Sequence, residues 1–150
     1  MVKKRKIMKR NLFYLLPLLL TLGVACSPKS DPVVIPNPTG AFTGTFKLIT
    51  KKTTGTGYDT AKSNIVLTTT SSAHYAVTGD TTKHAGSKGL YIYDGNFIQF
   101  RDSTYKVGVQ TKTHLAGVYQ YLYDGVNFKM IAGNKNVSPD TIYRYDLLKQ

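Results

Sequence analysis

The chain of 150 residues has no glutamate, no tryptophan and a single cysteine, Cys26. One thiol forms no internal disulfide, so any folded domain must be held by its core alone. The three histidines, His74, His84 and His114, show neither His-x-His nor His-x3-His spacing. With no second cysteine and no glutamate beside them, a preformed zinc site is not expected. Nucleophilic catalysis finds no Gly-x-Ser-x-Gly elbow, because Ser87 stands between Gly86 and Lys88. A glycosidase needs a pair of carboxyl groups, and all eight acidic residues here are aspartates. Asp59, Asp80, Asp94, Asp102, Asp124 and Asp140 fall at expected turns, where accepting local backbone N–H groups explains aspartate without catalysis. No Asp-x-Asp loop favours calcium. The expectation is therefore a non-enzyme with no cofactor, no metal and no catalytic residues.

Proline is absent from Thr39 to Ser138, yet Pro28, Pro32, Pro36 and Pro38 crowd the segment just before it. That crowding reads as an extended, polyproline-like tether of about 3.1 Å per residue. Ahead of it, Lys3, Lys4, Arg5, Lys6, Lys9 and Arg10 precede an apolar stretch from Leu12 to Val24, interrupted only by Pro17 and Thr21. The stretch is too short to span a bilayer comfortably as a helix, and the pattern is that of an export signal.

Leu22-Gly23-Val24-Ala25-Cys26 resembles the lipobox of bacterial lipoproteins, with small Ala25 before the cysteine and Gly23 where the family usually has leucine. The resemblance implies that residues 1–25 are removed and that Cys26 carries a diacylglycerol. Two or three acyl chains, at roughly 0.8 kcal/mol per buried methylene, anchor stably where one is marginal. The expected organisation is a signal peptide over 1–25, the lipidated cysteine and tether over 26–39, and one folded domain over 40–150. The expected location is the cell envelope, on the periplasmic face or the outer-membrane surface, with the membrane as a partner through the anchor.

Removing those six bases from the twenty Lys and Arg leaves fourteen against eight aspartates, so the formal +12 falls to +6. The remaining lysines are scattered. No nucleic-acid partner is expected, and an excess of this kind suits solubility and anionic envelope polymers.

Between Thr39 and Ser138, glycine, asparagine and aspartate punctuate a segment rich in threonine and tyrosine about every ten residues, which favours an all-β domain. Strands are expected near 41–50, 61–70, 73–78, 89–93, 96–101, 105–110, 115–123, 127–132 and 141–147, eight or nine in all. Ser71-Ser72, Asp94-Gly95 and Asp102-Ser103 are links short enough for hairpins, so the strands should be antiparallel neighbours in chain order. Asp94-Gly95 predicts a type I′ turn centred on that pair. Tyr91-Ile92-Tyr93-Asp94-Gly95 recurs as Tyr121-Leu122-Tyr123-Asp124-Gly125, and its first four residue types return as Tyr143-Arg144-Tyr145-Asp146. A tyrosine-flanked Asp-Gly is a good way to build a hairpin.

Alternation around such a turn places Leu90, Ile92 and Phe97 on one face and Tyr91, Tyr93, Ile98 and Phe100 on the other. Tyr119, Tyr121 and Tyr123 likewise oppose Val118 and Leu122. Neither face is polar, which implies an extra packed layer, a ligand cavity or a partner. Two readings stay open: a cross-strand tyrosine ladder, its hydroxyls reaching water, that only stabilises the sheet, or a surface of Tyr91, Tyr93, Tyr119 and Tyr121 that binds a ligand.

Gly40-Ala41-Phe42-Thr43-Gly44-Thr45-Phe46 followed by a meander is similar to the small lipocalin-like lipoproteins of the Bacteroidota, over most of residues 40–147. The resemblance implies an antiparallel up-and-down barrel or half-barrel with an interior suited to a small apolar ligand. Expected function is non-catalytic binding of such a ligand or of a glycan. The alternative is an accessory protein that docks an envelope protein through a tyrosine-rich sheet face.

Overall fold

Alternation of inward apolar and aromatic side chains with outward side chains of mixed polarity accompanies eight strands among the described residues. The computed structural model describes residues 36–106, 108, 111–133 and 140–150. Residues 1–35, on which the expected export signal, the lipidated Cys26 and most of the expected tether fall, lie outside the described residues. The strands are β1 (Gly40–Lys51), β2 (Tyr58–Thr69), β3 (His74–Gly79), β4 (Lys88–Tyr93), β5 (Phe97–Asp102), β6 (Gly117–Tyr123), β7 (Asn127–Gly133) and β8 (Thr141–Lys149). Each pairs antiparallel with its successor, and β8 returns to β1 to close an up-and-down barrel. Closure leaves no edge strand, which removes the hazard of unpaired backbone groups.

Gly44 makes the β1–β8 seam possible. A Cβ there would lie 2.1 Å from the Asp146 carbonyl oxygen and 2.9 Å from the Leu147 Cα. Its neighbours on the inner face, Phe42 and Phe46, are fully buried. The glycine between two phenylalanines thus lets β8 approach while both rings fill the core.

Period two runs around the whole wall. Ile65, Leu67, Tyr75, Val77, Tyr91, Ile98, Phe100, Tyr119, Tyr121, Tyr123, Phe128, Met130, Tyr145 and Leu147 complete the buried set with Leu115. An eight-stranded barrel has an interior just wide enough for side chains to fill or for one small ligand. Here rings meet rings: Phe42 and Phe128 centroids are 5.0 Å apart, Phe46 and Tyr145 5.0 Å, and Tyr75 and Phe100 4.9 Å. Burying each such side chain contributes roughly 1.5–3 kcal/mol.

The two ends differ. One carries the tight connections 70–73, 94–96 and 124–126, and the chain enters there, where Thr69 Oγ1 donates to the Pro38 carbonyl at 2.6 Å. The other carries the longer connections 52–57, 80–87 and 103–116. Two of these are laced together, with Ala85 N donating to Thr113 O at 2.8 Å and Thr113 N to Lys83 O at 3.0 Å. This lacing buries His84, Ser87 and Leu115 against the core.

Four expectations need correction. Asp59, expected at a turn, lies in β2 and pairs with Thr50. Of the strand expected at 105–110, the described residues Tyr105, Lys106 and Gly108 are not in a strand, and the other three residues lie outside the described set. Asp102-Ser103 is not a hairpin link: Asp102 ends β5, and the chain then runs through 103–116 before β6. Its short polar pair is used instead as a turn in which Asp102 Oδ1 accepts from Thr104 N and Thr104 Oγ1. The turn after β4 is centred on Gly95-Asn96, because Tyr93 pairs with Ile98 and Asp94 N donates to Phe97 O at 2.9 Å. Asp94 Oδ1 accepts from the N–H groups of Asn96 and Phe97, which favours the aspartate just before the turn instead of within it. Moving the centre by one residue shifts the register by two, so every side chain keeps its face.

Candidate binding site

Tyr91, Tyr93, Tyr119 and Tyr121 all point inward. Three are buried, with 2%, 1% and 8% exposure for Tyr91, Tyr119 and Tyr121, while Tyr93 keeps 41% at the hairpin end. Tyr93 stacks on Tyr91 with centroids 6.1 Å apart. Two hydroxyls bond to carbonyls of the tight turns: Tyr91 donates to Thr70 O at 3.0 Å and Tyr121 to Asp94 O at 2.7 Å. Tyr119 shares a hydrogen bond with Tyr145. Burial raises the pKa of Tyr91, Tyr119 and Tyr121 above the usual phenol range. The tyrosine-rich face is therefore the inner face, and Tyr91, Tyr119 and Tyr121 form part of the core instead of a ladder with hydroxyls reaching water.

A second buried polar chain lies toward the loop end. His84 Nδ1 is 2.6 Å from the Ala85 carbonyl, which can only accept, so Nδ1 carries the proton. Nε2 is then an acceptor, and Tyr145 Oη donates to it at 2.9 Å. Burial lowers the His84 pKa from 6.5 to about 4, so the ring is neutral. Nearby, His114 Nδ1 donates to Asp102 Oδ2 at 2.7 Å, and the Asp102 side chain is fully buried. Burial pushes the Asp102 carboxyl up, but the two bonds from Thr104 and the one from His114 outweigh it and hold the pKa below the ordinary range. His74 sits at the hairpin end, away from both, with Nδ1 2.9 Å from Ser72 O. Among the described residues, no three ligating side chains gather around one point. No buried side-chain nitrogen or oxygen among them lacks a partner, so the interior offers no orphan polar group to a guest.

The outer wall is different. Leu90, Ile92, Phe97, Val118, Leu122 and Ile131 are exposed there. Two depressions lined by described residues open on this wall. The smaller, of about 250 Å³, lies among Ile92, Tyr93, Asp94, Phe97, Gln99 and Val118. The larger, of about 370 Å³, is built on β6, β7 and β8 and overhung by Asn96.

Register explains the larger one. Gln120 pairs with Ile131 and Ile131 with Arg144, while Leu122 pairs with Lys129 and Lys129 with Asp146. These six positions are the outward side chains of three adjacent strands, arranged as two rows of three. Asp146 is held by Lys47 Nζ at 2.7 Å and by Arg144 Nη2 at 2.9 Å. Burial raises its carboxyl, but those two cations and their hydrogen bonds prevail and keep the pKa below the ordinary range.

No known family model, curated protein or solved structure matches this chain. The site must therefore be read from its own residues.

Sequence reasoning placed Tyr91, Tyr93, Tyr119 and Tyr121 on one face, and the barrel does bring them to one face. It missed Gln120, Lys129, Arg144 and Asp146. Alternation alone put Leu122 opposite the tyrosines, but which strands lie beside β6, and in what register, is set by barrel closure.

Proposed function

We propose that this chain is a lipid-anchored protein of the cell envelope whose barrel is a non-catalytic binding module for a small ligand. Its binding surface is the outer wall of β6–β8. The barrel interior serves as a filled structural core. The observation that carries this reading is the contrast between the two faces. Inside, fully buried Phe42, Phe46, Phe100, Phe128, Tyr119 and Tyr145 occupy the space. Outside, a depression combines two apolar side chains with amides and charges. Pockets with an apolar floor and a few convergent polar groups are the usual form of small-ligand sites.

The anchor is supported by the placement of Cys26 directly after an apolar run and a small residue. Anchoring would hold the module at a membrane and so raise its local concentration toward envelope components. Two measurements test the reading. Intact-mass analysis of the native chain should find Cys26 as the first residue with acyl chains attached. A thermal-shift panel of glycans and lipids should find a stabilising ligand, and the substitution Ile131→Asp should remove that stabilisation.

The exposed run of Leu90, Ile92, Phe97 and Val118 favours a second reading, in which the neighbouring wall of β4–β6 docks an envelope protein. Crosslinking in cells would then capture one dominant partner, lost in Phe97→Ser.

A further inference from the structure

We infer that the larger outer depression takes an anionic sugar, a pyranose bearing a carboxylate or a phosphate. The inference rests on the outer-wall reading above and names the chemistry of its ligand. Three strands spaced about 4.8 Å apart, with same-face residues about 7 Å apart along each, give a patch of roughly 10 Å by 7 Å. That is the footprint of one or two sugar rings lying flat.

The patch chemistry matches such a ring. Leu122 and Ile131 are exposed and aliphatic, and they would meet the C–H face of a pyranose. Gln120 and Asn96 are exposed amides lining the same depression. Each offers a carbonyl acceptor and two N–H donors, the combination that pairs with adjacent hydroxyls. Among the described residues, neither amide side chain is engaged in a hydrogen bond and Lys129 makes no ion pair.

Charge selects the sign. Lys47, Arg144 and Lys129 stand against Asp146 alone, and Asp146 is already held by the first two. Lys129 pairs with both Leu122 and Asp146 in the strand register and lines the depression, which puts a cation on its wall beside the aliphatic side chains. A neutral sugar would leave that cation unused. A simple anion would leave the aliphatic floor and the amides unused. Only a ligand with a ring and a negative charge employs all of them.

The test is isothermal titration of the full-length protein in detergent with trigalacturonate, glucose 6-phosphate, neutral maltotriose and inorganic phosphate. Binding of either anionic sugar should exceed that of maltotriose and of phosphate by about tenfold or more. Lys129→Ala should weaken the anionic sugar about tenfold while leaving the melting temperature unchanged. Gln120→Ala should weaken it as well, which a charge-only site would not show. Equal binding of maltotriose, or of phosphate, overturns the inference, as does failure of both anionic sugars to bind. The first outcome leaves the outer-wall reading standing, provided Ile131→Asp abolishes maltotriose binding. Binding that survives Ile131→Asp removes that reading too.

Discussion

Tyr145 donates its hydroxyl proton to His84 Nε2 at 2.9 Å, joining the strand that closes the barrel to a loop 61 residues earlier in the chain. Tyr145 can donate in this direction only while the imidazole is neutral, and the Phe46 ring packed 4.9 Å from it excludes the water that a charged ring would need. This single contact ties β1, β8 and the loop end into one core, and it makes the fold sensitive to acid.

Acid should act through His84 first. Its folded pKa is lowered to about 4 by burial, below the unfolded value of about 6.5. Between those values the unfolded chain binds a proton that the folded chain refuses, so stability is complete above pH 6.5 and declines toward pH 4. The total loss is about 3 kcal/mol. Asp102 and Asp146, held below the ordinary carboxylate range, act in a lower window, losing their contribution only as pH falls below about 3.9. Urea midpoints at pH 7.5 and 4.5 should therefore differ strongly for the wild-type chain and much less for His84→Gln. Equal differences would show that the ring is not held neutral.

The seam between β1 and β8 should tolerate no side chain at Gly44. A methyl group there meets a backbone carbonyl, which cannot swing aside as a side-chain tip would. Gly44→Ala should cost about 3 kcal/mol or more, read as a fall in urea midpoint. By contrast, Gly57 meets nothing within 4 Å and carries only the strain of its φ of +108°, so Gly57→Ala should cost about 1 kcal/mol.

Removing one inner hydroxyl separates a structural tyrosine from a ligand contact. Tyr121→Phe loses the bond to the Asp94 carbonyl and should cost about 1 kcal/mol of stability. Ligand affinity measured by titration should not change. A loss of affinity without a loss of stability would place the ligand inside.

Much of the fold was legible because period two survives local errors. Eight strand positions followed from alternation and turn residues, and the side chains of β4, β5 and β6 were divided between two faces as the barrel divides them. The turn after β4 was nevertheless centred one residue early, and alternation did not say which face points inward. Asp94 and Asp124 cap their hairpins alike, Asp124 Oδ1 accepting from Val126 N at 2.9 Å and Asn127 N at 2.6 Å. The third echo misled, since Asp146 lies mid-strand and serves a cation cluster instead of a turn. Residues 105–110 read as strand because Tyr105 and its neighbours suit one, yet Tyr105 and Lys106 are outside any strand, and Thr113 and Leu115 further on are spent on covering the barrel end. The outer depression was illegible for a different reason. Its six side chains come from three strands, and only the closed register, set by long-range pairing, brings them together.

The central claim is that the barrel binds on its outer wall and uses its tyrosine-lined interior as core. Two-dimensional NMR of the full-length protein in detergent, titrated with trigalacturonate, addresses it directly. The account predicts that resonances of Gln120, Leu122, Lys129 and Ile131 move while the rings of Tyr91, Tyr119 and Tyr121 stay in place. Movement of those rings with a silent outer wall would contradict it.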